Sequence, residues 1–258
     1  MNRTRAAWLT VAVLITLVAW LVLFLPARWA WPLLQARLRG LTLMQVHGLV
    51  WNGGAAAVYA ADGRDLGRLR WRLSRSALWG RLDLDLALDG RDLQASGHLE
   101  RDAQGRQAWR GVRARINPAA WAVHLPWGDP RGMLVLDLDR AVLQGNWPLE
   151  LAGQLRWDAA AFSAPEGEVA LGDLALDLSA TGGVVLGRLR DLRSGPLAVD
   201  GQLQLSPLGW RFAATLQPHS GDPALQRWLA RLGRPDAHGT IHLQRRGGLA
   251  AATPEPVR

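Results

Sequence analysis

The first feature of the chain is an apolar run, Ala6 to Leu25, that contains no charged residue. An α-helix of this length extends about 30 Å, the thickness of the hydrocarbon core of a bilayer. A cleaved signal peptide would have a shorter apolar region followed by small residues, whereas Pro26 and Arg28 follow this run. The pattern therefore predicts a transmembrane signal anchor over residues 6–25, after a cytoplasmic tail of residues 1–5 and before a juxtamembrane connector of residues 26–44.

The dominant pattern after this connector is alternation of apolar and polar residues with a period of two. Residues 82–89 read LDLDLALD, and residues 134–139 read LVLDLD. On a strand such leucines share one face, whereas on a helix they would lie on opposite sides. Turn signals such as Asp89-Gly90 separate the runs. We therefore predict an all-β domain over residues 45–243, an extended and curved antiparallel meander that is either open or folded on itself.

One short helix is predicted near the C-terminus. Asp222 is a suitable N-cap, Pro223 suits the first turn, and an apolar stripe runs from Leu225 to Leu232 before Gly233, which fits a C′ position. The residues after the last predicted strand, 244–258, are rich in small and polar side chains, and they are predicted to form a disordered tail.

The charge distribution argues against a nucleic-acid partner. The net charge is +8, but the first 40 residues carry five arginines and no acid, so that from residue 41 onward 25 arginines face 22 acids. A phosphate-binding surface needs clustered positive charge, and here arginine and aspartate alternate. The chain contains no cysteine, which excludes disulfides, cysteine-ligated zinc and a thiol nucleophile.

The orientation of the predicted anchor follows from the short tail more than from charge. Arg3 and Arg5 precede the apolar run, and Arg28, Arg37 and Arg39 follow it, so the positive-inside rule is nearly balanced. A tail of five residues stays readily in the cytoplasm, which predicts a periplasmic location for the main domain.

The candidates for catalysis and metal binding are few. His238 and His242 are four residues apart, but Gly239 and the surrounding strand pattern remove the helical face that would join them at a metal. Two acidic pairs share strand faces, Asp83 with Asp85 and Asp137 with Asp139. Because the opposite face of each strand is leucine, we interpret these acids as the solvated side of an amphipathic strand. The sequence contains no motif typical of a hydrolase or a phosphate-binding loop, and no enzyme activity is predicted.

Several short motifs follow the apolar run in a fixed order. Residues 47–55 read HGLVWNGGA, a Leu69-x-Trp71 strand follows, and Gly153-x-Leu155-x-Trp157 comes later. In this serial order the motifs resemble those of the type II secretion system protein N family, also called general secretion pathway protein N. The residues that carry the resemblance are Gly48, Trp51, Gly53, Trp71, Gly80, Gly153, Trp157, Gly201, Gly233, Pro235 and Gly239.

The resemblance implies a single-pass inner-membrane protein whose periplasmic domain is an accessory or assembly component of the machinery that exports folded proteins across the outer membrane. Its partners would be the inner membrane and other type II secretion subunits. The family offers no catalytic residue, cofactor or metal ligand to carry over, so the motif residues are expected to be structural. In this interpretation Trp51 alternates with Leu49 on a first strand, and Gly53 with Gly54 forms the turn or bulge after it.

The 14 tryptophans leave a second interpretation open. Most of those beyond the apolar run fall on predicted strands, where they either fill a core or line an apolar groove. A curved sheet with a leucine- and tryptophan-rich face forms a groove like that of the AsmA-like proteins, which predicts lipid handling as the alternative function. A wide apolar groove would favour lipid handling, and a closed core would favour an assembly component.

Overall fold

The computed structural model describes residues 24–29, 40–102, 104–121, 125–165, 167–193, 195–219 and 221–248. The predicted anchor Ala6–Leu25 lies outside the described residues except for Phe24 and Leu25. Among the described residues, no helix is both long and apolar enough to cross a membrane.

Thirteen strands form one antiparallel sheet in which each strand pairs with its neighbours in the chain, so the order across the sheet is β1 to β13. The strands are β1 (Leu41–Gly48), β2 (Asn52–Ala60), β3 (Asp65–Leu73), β4 (Leu82–Asp89), β5 (Leu93–Arg101), β6 (Gln107–Ile116), β7 (Asp129–Gln144), β8 (Trp147–Ala164), β9 (Gly167–Thr181), β10 (Val184–Asp191), β11 (Leu197–Ser206), β12 (Gly209–Pro218) and β13 (Ile241–Gly248). Two short 3₁₀ helices, Arg75–Trp79 and Pro118–Trp121, and one α-helix, α1 (Pro223–Leu232), complete the described elements. The predicted all-β antiparallel meander with one short C-terminal helix is confirmed.

The alternating pattern of β4 explains why this segment is a strand. All four of its leucines, Leu82 to Leu88, line the same apolar groove, while Asp85 and Asp89 are exposed. A period of two places residues i and i+2 on one face of a strand, so one face of β4 is apolar and the other is polar. The prediction for residues 82–89 is therefore confirmed in detail.

The sheet extends beyond the predicted bounds of the domain at both ends. β1 begins at Leu41 and not at residue 45, and β13 continues to Gly248, into the segment predicted to be a tail. Residues 244–248 pair with Gly209–Ala213 of β12. Backbone hydrogen bonds hold this edge strand, and they need no apolar alternation. For this reason the polar sequence QRRGG, residues 244–248, was not predicted to be a strand.

Helix α1 begins and ends close to the predicted residues. The Asp222 carboxylate accepts a hydrogen bond from the Ala224 N–H at 2.9 Å, and Pro223 occupies the first turn. At the other end Gly233 is extended (φ −176°), so it does not adopt the left-handed conformation of a C′ glycine. Glycine fits there because a Cβ would lie 2.9 Å from Cγ2 of Ile241. The predicted position of the helix end is confirmed, and its predicted geometry is wrong.

The main core lies between α1 and strands β8 to β13. Leu225, Trp228 and Leu229 of α1 are at most 4% exposed and pack on the apolar face of the sheet. The helix contacts both β9 and β13. β9 and β13 are separated by four strand spacings of about 4.8 Å, which is more than the helix diameter of roughly 10 Å. The sheet must therefore curve around α1 for both strands to contact it. The sheet residues of this core are Ala160, Phe162, Val169, Leu171, Leu174, Leu197, Val199, Leu216 and Ile241.

Candidate functional site

The turn that joins β1 to β2, residues Leu49–Asn52 and called here the Trp51 turn, contains the centre of the resemblance motif. Leu49 N–H donates to the Asn52 carbonyl at 2.9 Å, and Asn52 N–H donates to the Leu49 carbonyl at 3.2 Å. Val50 and Trp51 therefore form the turn, and Gly53 is already paired with Gly48 in the ladder. The interpretation that placed Trp51 on a strand and the turn at Gly53 and Gly54 is wrong, because these two glycines begin β2.

The Trp51 turn is bonded both to the chain that precedes the sheet and to β3. Val50 N–H donates to the Leu25 carbonyl at 3.0 Å, and Pro26 forms an isolated bridge with Leu49. On the other side the Leu73 N–H donates to the Trp51 carbonyl at 2.8 Å. These bonds fix the last residue of the apolar run against the first hairpin of the sheet.

Trp71 of β3 also contacts the Trp51 turn. Its indole Nε1–H donates to the Val50 carbonyl at 3.1 Å, and it lies opposite Gly53 in the pairing of β2 with β3. A Cβ on Gly53 would lie 2.7 Å from Cζ2 of Trp71 and 2.7 Å from the Leu49 carbonyl oxygen. The indole therefore covers the strand at a position that only glycine permits. Of the motif residues, Gly48, Trp51, Gly53 and Trp71 are the four that meet in one place.

Gly48 and Gly53 require glycine for different reasons. Gly48 has φ +79°, and a Cβ there would lie 2.7 Å from the Asn52 carbonyl oxygen. Gly53 is outside the left-handed region, so its requirement comes from close packing alone. An L-residue at Gly48 would meet both backbone strain and a clash, whereas at Gly53 it would meet only the clash.

The first prediction concerns this close packing. Gly53→Ala should lower the free energy of unfolding by about 1–3 kcal/mol, because the added methyl forces the Trp71 ring or the turn backbone to move. Gly221→Ala is the matched control, since nothing lies within 4 Å of a Cβ at that position. Urea unfolding of both variants measures the difference. Equal midpoints would show that the turn absorbs a methyl group without cost.

An apolar groove of about 470 Å³ lies on the inner face of β1 to β4. It is lined only by apolar side chains, those of Ala27, Leu41, Leu43, Val46, Val50, Val58, Leu66, Leu69, Trp71, Leu73, Leu82, Leu84, Leu86 and Leu88. Ala27 and Val50 place one end of the groove at the Trp51 turn. Farther from this turn along β2 and β3, Trp121 packs against the small cluster of Ala55, Val58 and Leu66. The sheet thus has a covered core under α1 and an apolar groove at its first four strands.

The motif residues in the second half of the sheet serve local packing. A Cβ on Gly153 would overlap the carbonyl of Asp137, and a Cβ on Gly201 would lie 3.1 Å from Cβ of Ala214. Trp157 donates from Nε1 to the Arg131 carbonyl at 2.7 Å and packs edge-on against Phe162 in the main core.

The remaining motif residues lie in connections. Gly80 ends the Arg75–Trp79 helix with φ +76°, and its N–H donates to the Ala77 carbonyl at 3.1 Å. Gly239 has φ +77° in the turn before β13, and Pro235 is exposed in the same connection. All three lie in connections between elements, and none of them lies at the Trp51 turn.

The acidic pair on β4 belongs to an exposed polar cluster that the sequence did not indicate. His98 of β5 lies with Nδ1 2.8 Å from Asp85 and with Nε2 3.6 Å from Asp83 and 3.4 Å from Glu100. The Glu100 carboxylate also pairs with Arg110 at 3.2 Å. Cross-strand pairing brings these residues together on the face opposite the groove. Knowledge of the β4–β5 register would have been needed to find them.

The other candidate residues are likewise on solvated faces. Asp137 forms a 3.8 Å ion pair with Arg113, and both side chains are more than half exposed. His242 lies 3.7 Å from Asp236, while His238 meets the same carboxylate only through its backbone N–H. Across the described part of the chain, no group of three or more histidine and acidic side chains is arranged to hold a metal ion.

The second prediction concerns the titration of His98. The hydrogen bond that His98 donates to the Asp85 carboxylate, with the negative charges of Asp83 and Asp85, raises the His98 pKa above its ordinary value of 6.5 despite partial desolvation. A raised folded-state pKa stabilises the protein below the unfolded value, and this contribution is lost as pH rises through the folded pKa. NMR titration should show the raised pKa, and Asp85→Asn should lower it. An unchanged pKa in Asp85→Asn would contradict the geometry of the pair.

Comparison with known proteins gives two kinds of match. The family model described as Type II secretion system (T2SS), protein N matches residues 39–244, which include strands β1 to β12 and the first half of β13. A type II secretion system protein N of Klebsiella pneumoniae is 32% identical over 229 residues, covering 86% of this chain and 88% of the relative. One of Vibrio cholerae serotype O1 is 28% identical over 220 residues, covering 81% and 86%. No solved structure gives a significant match.

Proposed function

Because this chain belongs to the type II secretion system protein N family, we propose that it is a non-enzymatic assembly component of that system, anchored in the inner membrane with its sheet in the periplasm. Residues 6–25 are the anchor, residues 1–5 remain in the cytoplasm, and the sheet contacts other secretion subunits. Membership of the family itself makes the chain a component of the type II secretion machinery.

The observation that supports this arrangement best is the attachment of Leu25 to the sheet. The apolar run ends at Leu25, and its carbonyl accepts a hydrogen bond from Val50 N–H at 3.0 Å. A helix that ends in the headgroup region would therefore hold the Trp51 turn directly at the membrane surface. Such a connection fixes the position of the sheet relative to the anchor. A component that organises partner subunits at a membrane needs a fixed position of this kind.

The electrostatics of the described residues favour a structural role over catalysis. The apolar groove on β1 to β4 is lined by no acid, base or nucleophile. Arg190 and Gln154 hold one carboxylate with a lowered pKa: the Arg190 guanidinium, followed by the Gln154 amide, lowers the pKa of Asp177. A catalytic acid or base is expected in a cleft with a shifted pKa, whereas Asp177 and Arg190 lie on a strand face with both side chains more than 40% exposed.

We expect the edge strand β1 to be the first contact site for another subunit. Its residues Leu41–Gly48 carry no charge and no proline, and Met44 is 51% exposed. The opposite edge, β13, carries Arg245 and Arg246, and charged residues of this kind protect an edge from strand addition. An extended segment of a partner subunit can add to β1 through backbone hydrogen bonds.

The test uses site-specific photo-crosslinking in secreting cells. A photoreactive amino acid at Met44 should capture a type II secretion subunit, while the same residue at Arg246 should give little or no adduct. Deletion of the gene, with complementation by the wild-type chain, measures secretion. Normal secretion after deletion, or adducts from Arg246 alone, would contradict the assembly role or the assigned edge respectively.

A second candidate function, lipid handling, is favoured by one observation, the apolar groove of about 470 Å³. One of its ends lies at Ala27, two residues after the predicted anchor, where an acyl chain of a membrane phospholipid could enter. The occupant we consider is that acyl chain, because every lining side chain is apolar.

Lipid binding can be separated from the assembly role with matched variants. A phospholipid with a photoactivatable acyl chain should label the wild-type protein, and Leu86→Asn in the groove should reduce labelling severalfold. Leu136→Asn is the control, since Leu136 has the same strand pattern on β7 but does not line the groove. Equal labelling of all three proteins, or none, would exclude the groove as the lipid site.

A further inference from the structure

The connection between β3 and β4 presents two large apolar side chains to solvent. Trp79 is 78% exposed and Leu78 is 50% exposed, both on the 3₁₀ helix Arg75–Trp79, called here the Trp79 helix. This helix is well defined: the Ser74 side chain accepts from Ser76 N–H, and Gly80 closes the last turn with φ +76°. Single exposed apolar residues are common on proteins, but an exposed pair at the tip of a capped turn indicates a contact surface.

The Trp79 helix lies at the same strand ends as the Trp51 turn. β3 ends with Leu73, whose N–H donates to the Trp51 carbonyl at 2.8 Å, and the helix begins two residues later. Within the Trp51 turn, the Val50 N–H donates a hydrogen bond to the Leu25 carbonyl. Two backbone hydrogen bonds, Val50 to Leu25 and Leu73 to Trp51, therefore connect the end of the apolar run to the strand that leads into the Trp79 helix.

Three exposed arginines lie around the Trp79 helix. Arg75 is the first residue of the helix and Arg81 follows it, and both are exposed. Arg101 and Asp102 line a shallow depression together with Ala77 and Gly80, and the Asp102 carboxylate pairs with Arg106 at 2.8 Å. None of these three arginines forms an ion pair with the part of the chain that the structure describes. At the opposite strand ends, by contrast, Arg64 pairs with Asp62 at 3.3 Å. The rim at the Trp79 helix thus combines exposed aromatic and aliphatic side chains with three arginines that have no acidic partner among the described residues.

This combination matches the interface of a membrane that contains anionic lipids. Tryptophan is enriched at the headgroup level, because its ring is apolar and its N–H is polar. Arginine near an anionic membrane surface is attracted by the headgroup phosphates, and its apolar stem lies along the lipid. Core packing does not explain a tryptophan that is 78% exposed on a capped helix.

We infer that the Trp79 helix is a second membrane contact, in which Leu78 and Trp79 insert into the headgroup region of anionic phospholipids while Arg75 and Arg81 bind phosphate groups. The inference rests on the proposed inner-membrane anchor. A single anchor helix leaves the sheet free to tilt, whereas a second contact a few strands away fixes its orientation. The groove on β1 to β4 would then have a fixed direction relative to the bilayer.

The absence of cysteine from the chain permits a direct test by single-site labelling. The full-length protein carrying Leu78→Cys is labelled with an environment-sensitive fluorophore and placed in nanodiscs of phosphatidylethanolamine and phosphatidylglycerol. Lipids with a nitroxide near the headgroup report contact with the membrane, and a water-soluble nitroxide reports exposure to solvent. Ala61→Cys is the matched control, because that turn lies at the far end of β2 and β3, roughly 30 Å away for strands of nine residues.

The expected result is quenching of the Leu78 label by the lipid nitroxide and of the Ala61 label by the soluble one. Trp79→Ser, and separately Arg75→Gln with Arg81→Gln, should each weaken the lipid quenching at Leu78. A label at Ala12→Cys tests the anchor independently. If the Ala12 label is in the bilayer and the Leu78 label is as accessible to water as the Ala61 label, the inference is wrong and the anchor stands.

Two further outcomes would also decide the question. Protection of the Leu78 label from both nitroxides would mean that protein covers the Trp79 helix, which overturns the membrane contact. A water-accessible Ala12 label would instead overturn the proposed anchor, on which the inference rests. Loss of lipid quenching at Leu78 in nanodiscs of phosphatidylcholine alone would support the role assigned to the arginines.

Discussion

Trp228→Ala is expected to lower the free energy of unfolding by about 3–5 kcal/mol, the usual range for removal of a buried tryptophan. Trp228 is 4% exposed and lies at the centre of the core between α1 and the sheet. Its ring stacks on Phe162 with centroids 5.3 Å apart, and its Nε1–H donates to the Trp127 carbonyl at 2.7 Å. Alanine would leave a cavity and an unpaired carbonyl, so both the apolar and the polar contacts are lost.

Urea unfolding of the purified chain in detergent measures this effect, and two variants control it. Gln226→Ala changes an exposed position of the same helix and should shift stability by no more than about 0.5 kcal/mol. Trp228→Phe keeps an aromatic ring against Phe162 but removes the indole N–H, so a smaller loss near 1 kcal/mol is expected. A Trp228→Ala midpoint equal to that of the wild type would show that α1 does not stabilise the sheet.

The strands were predictable from sequence where one face is apolar and the other is charged. The leucines of β4 alternate with aspartates, and a slip of one residue would bury the aspartates, so the pattern specifies both the strand and its face. The helix was predictable for a similar reason, since Asp222 and Pro223 mark its start chemically. These signals are local, and each is contained in about ten consecutive residues.

The sequence did not predict what covers each apolar face of the sheet or which residues of neighbouring strands lie side by side. The leucine pattern shows that a face is apolar but not what covers it. Strands β8 to β13 are covered by α1, whereas β1 to β4 form the groove. The sequence alternatives of closed core and apolar groove therefore describe different ends of one sheet. The cluster around His98 was missed for the same reason, because residues of β4 and β5 meet only once the register is known.

The Trp51 turn shows how a motif can be identified while its geometry is misassigned. Two adjacent glycines, Gly53 and Gly54, are a strong turn signal in sequence. Here they are strand residues, because the Trp71 ring and the His47 side chain occupy the space beside them. The turn itself consists of Val50 and Trp51, and neither residue is a typical turn former. Long-range packing from β3 therefore overrides the local preference.

The last prediction is that Trp51→Ala lowers the free energy of unfolding by about 3–5 kcal/mol and loosens the attachment of Leu25. Trp51 is 9% exposed although it lies in a turn, and its carbonyl holds the end of β3 through Leu73. Removing the ring should therefore destabilise the first hairpin and its contact with Leu25 together. Thermal melting measures the first effect, and protease sensitivity of residues 26–44 measures the second.

Trp79→Ala is the matched control for Trp51→Ala, because it removes a tryptophan that is 78% exposed at the same strand ends. Its melting temperature should stay close to that of the wild type, and protease cleavage within residues 26–44 should not increase. In cells, Trp51→Ala should reduce the amount of protein before any defect in subunit contacts appears, since folding precedes assembly. A Trp51→Ala protein that melts like the wild type, keeps residues 26–44 protected from protease and no longer crosslinks to secretion subunits would make Trp51 an interface residue.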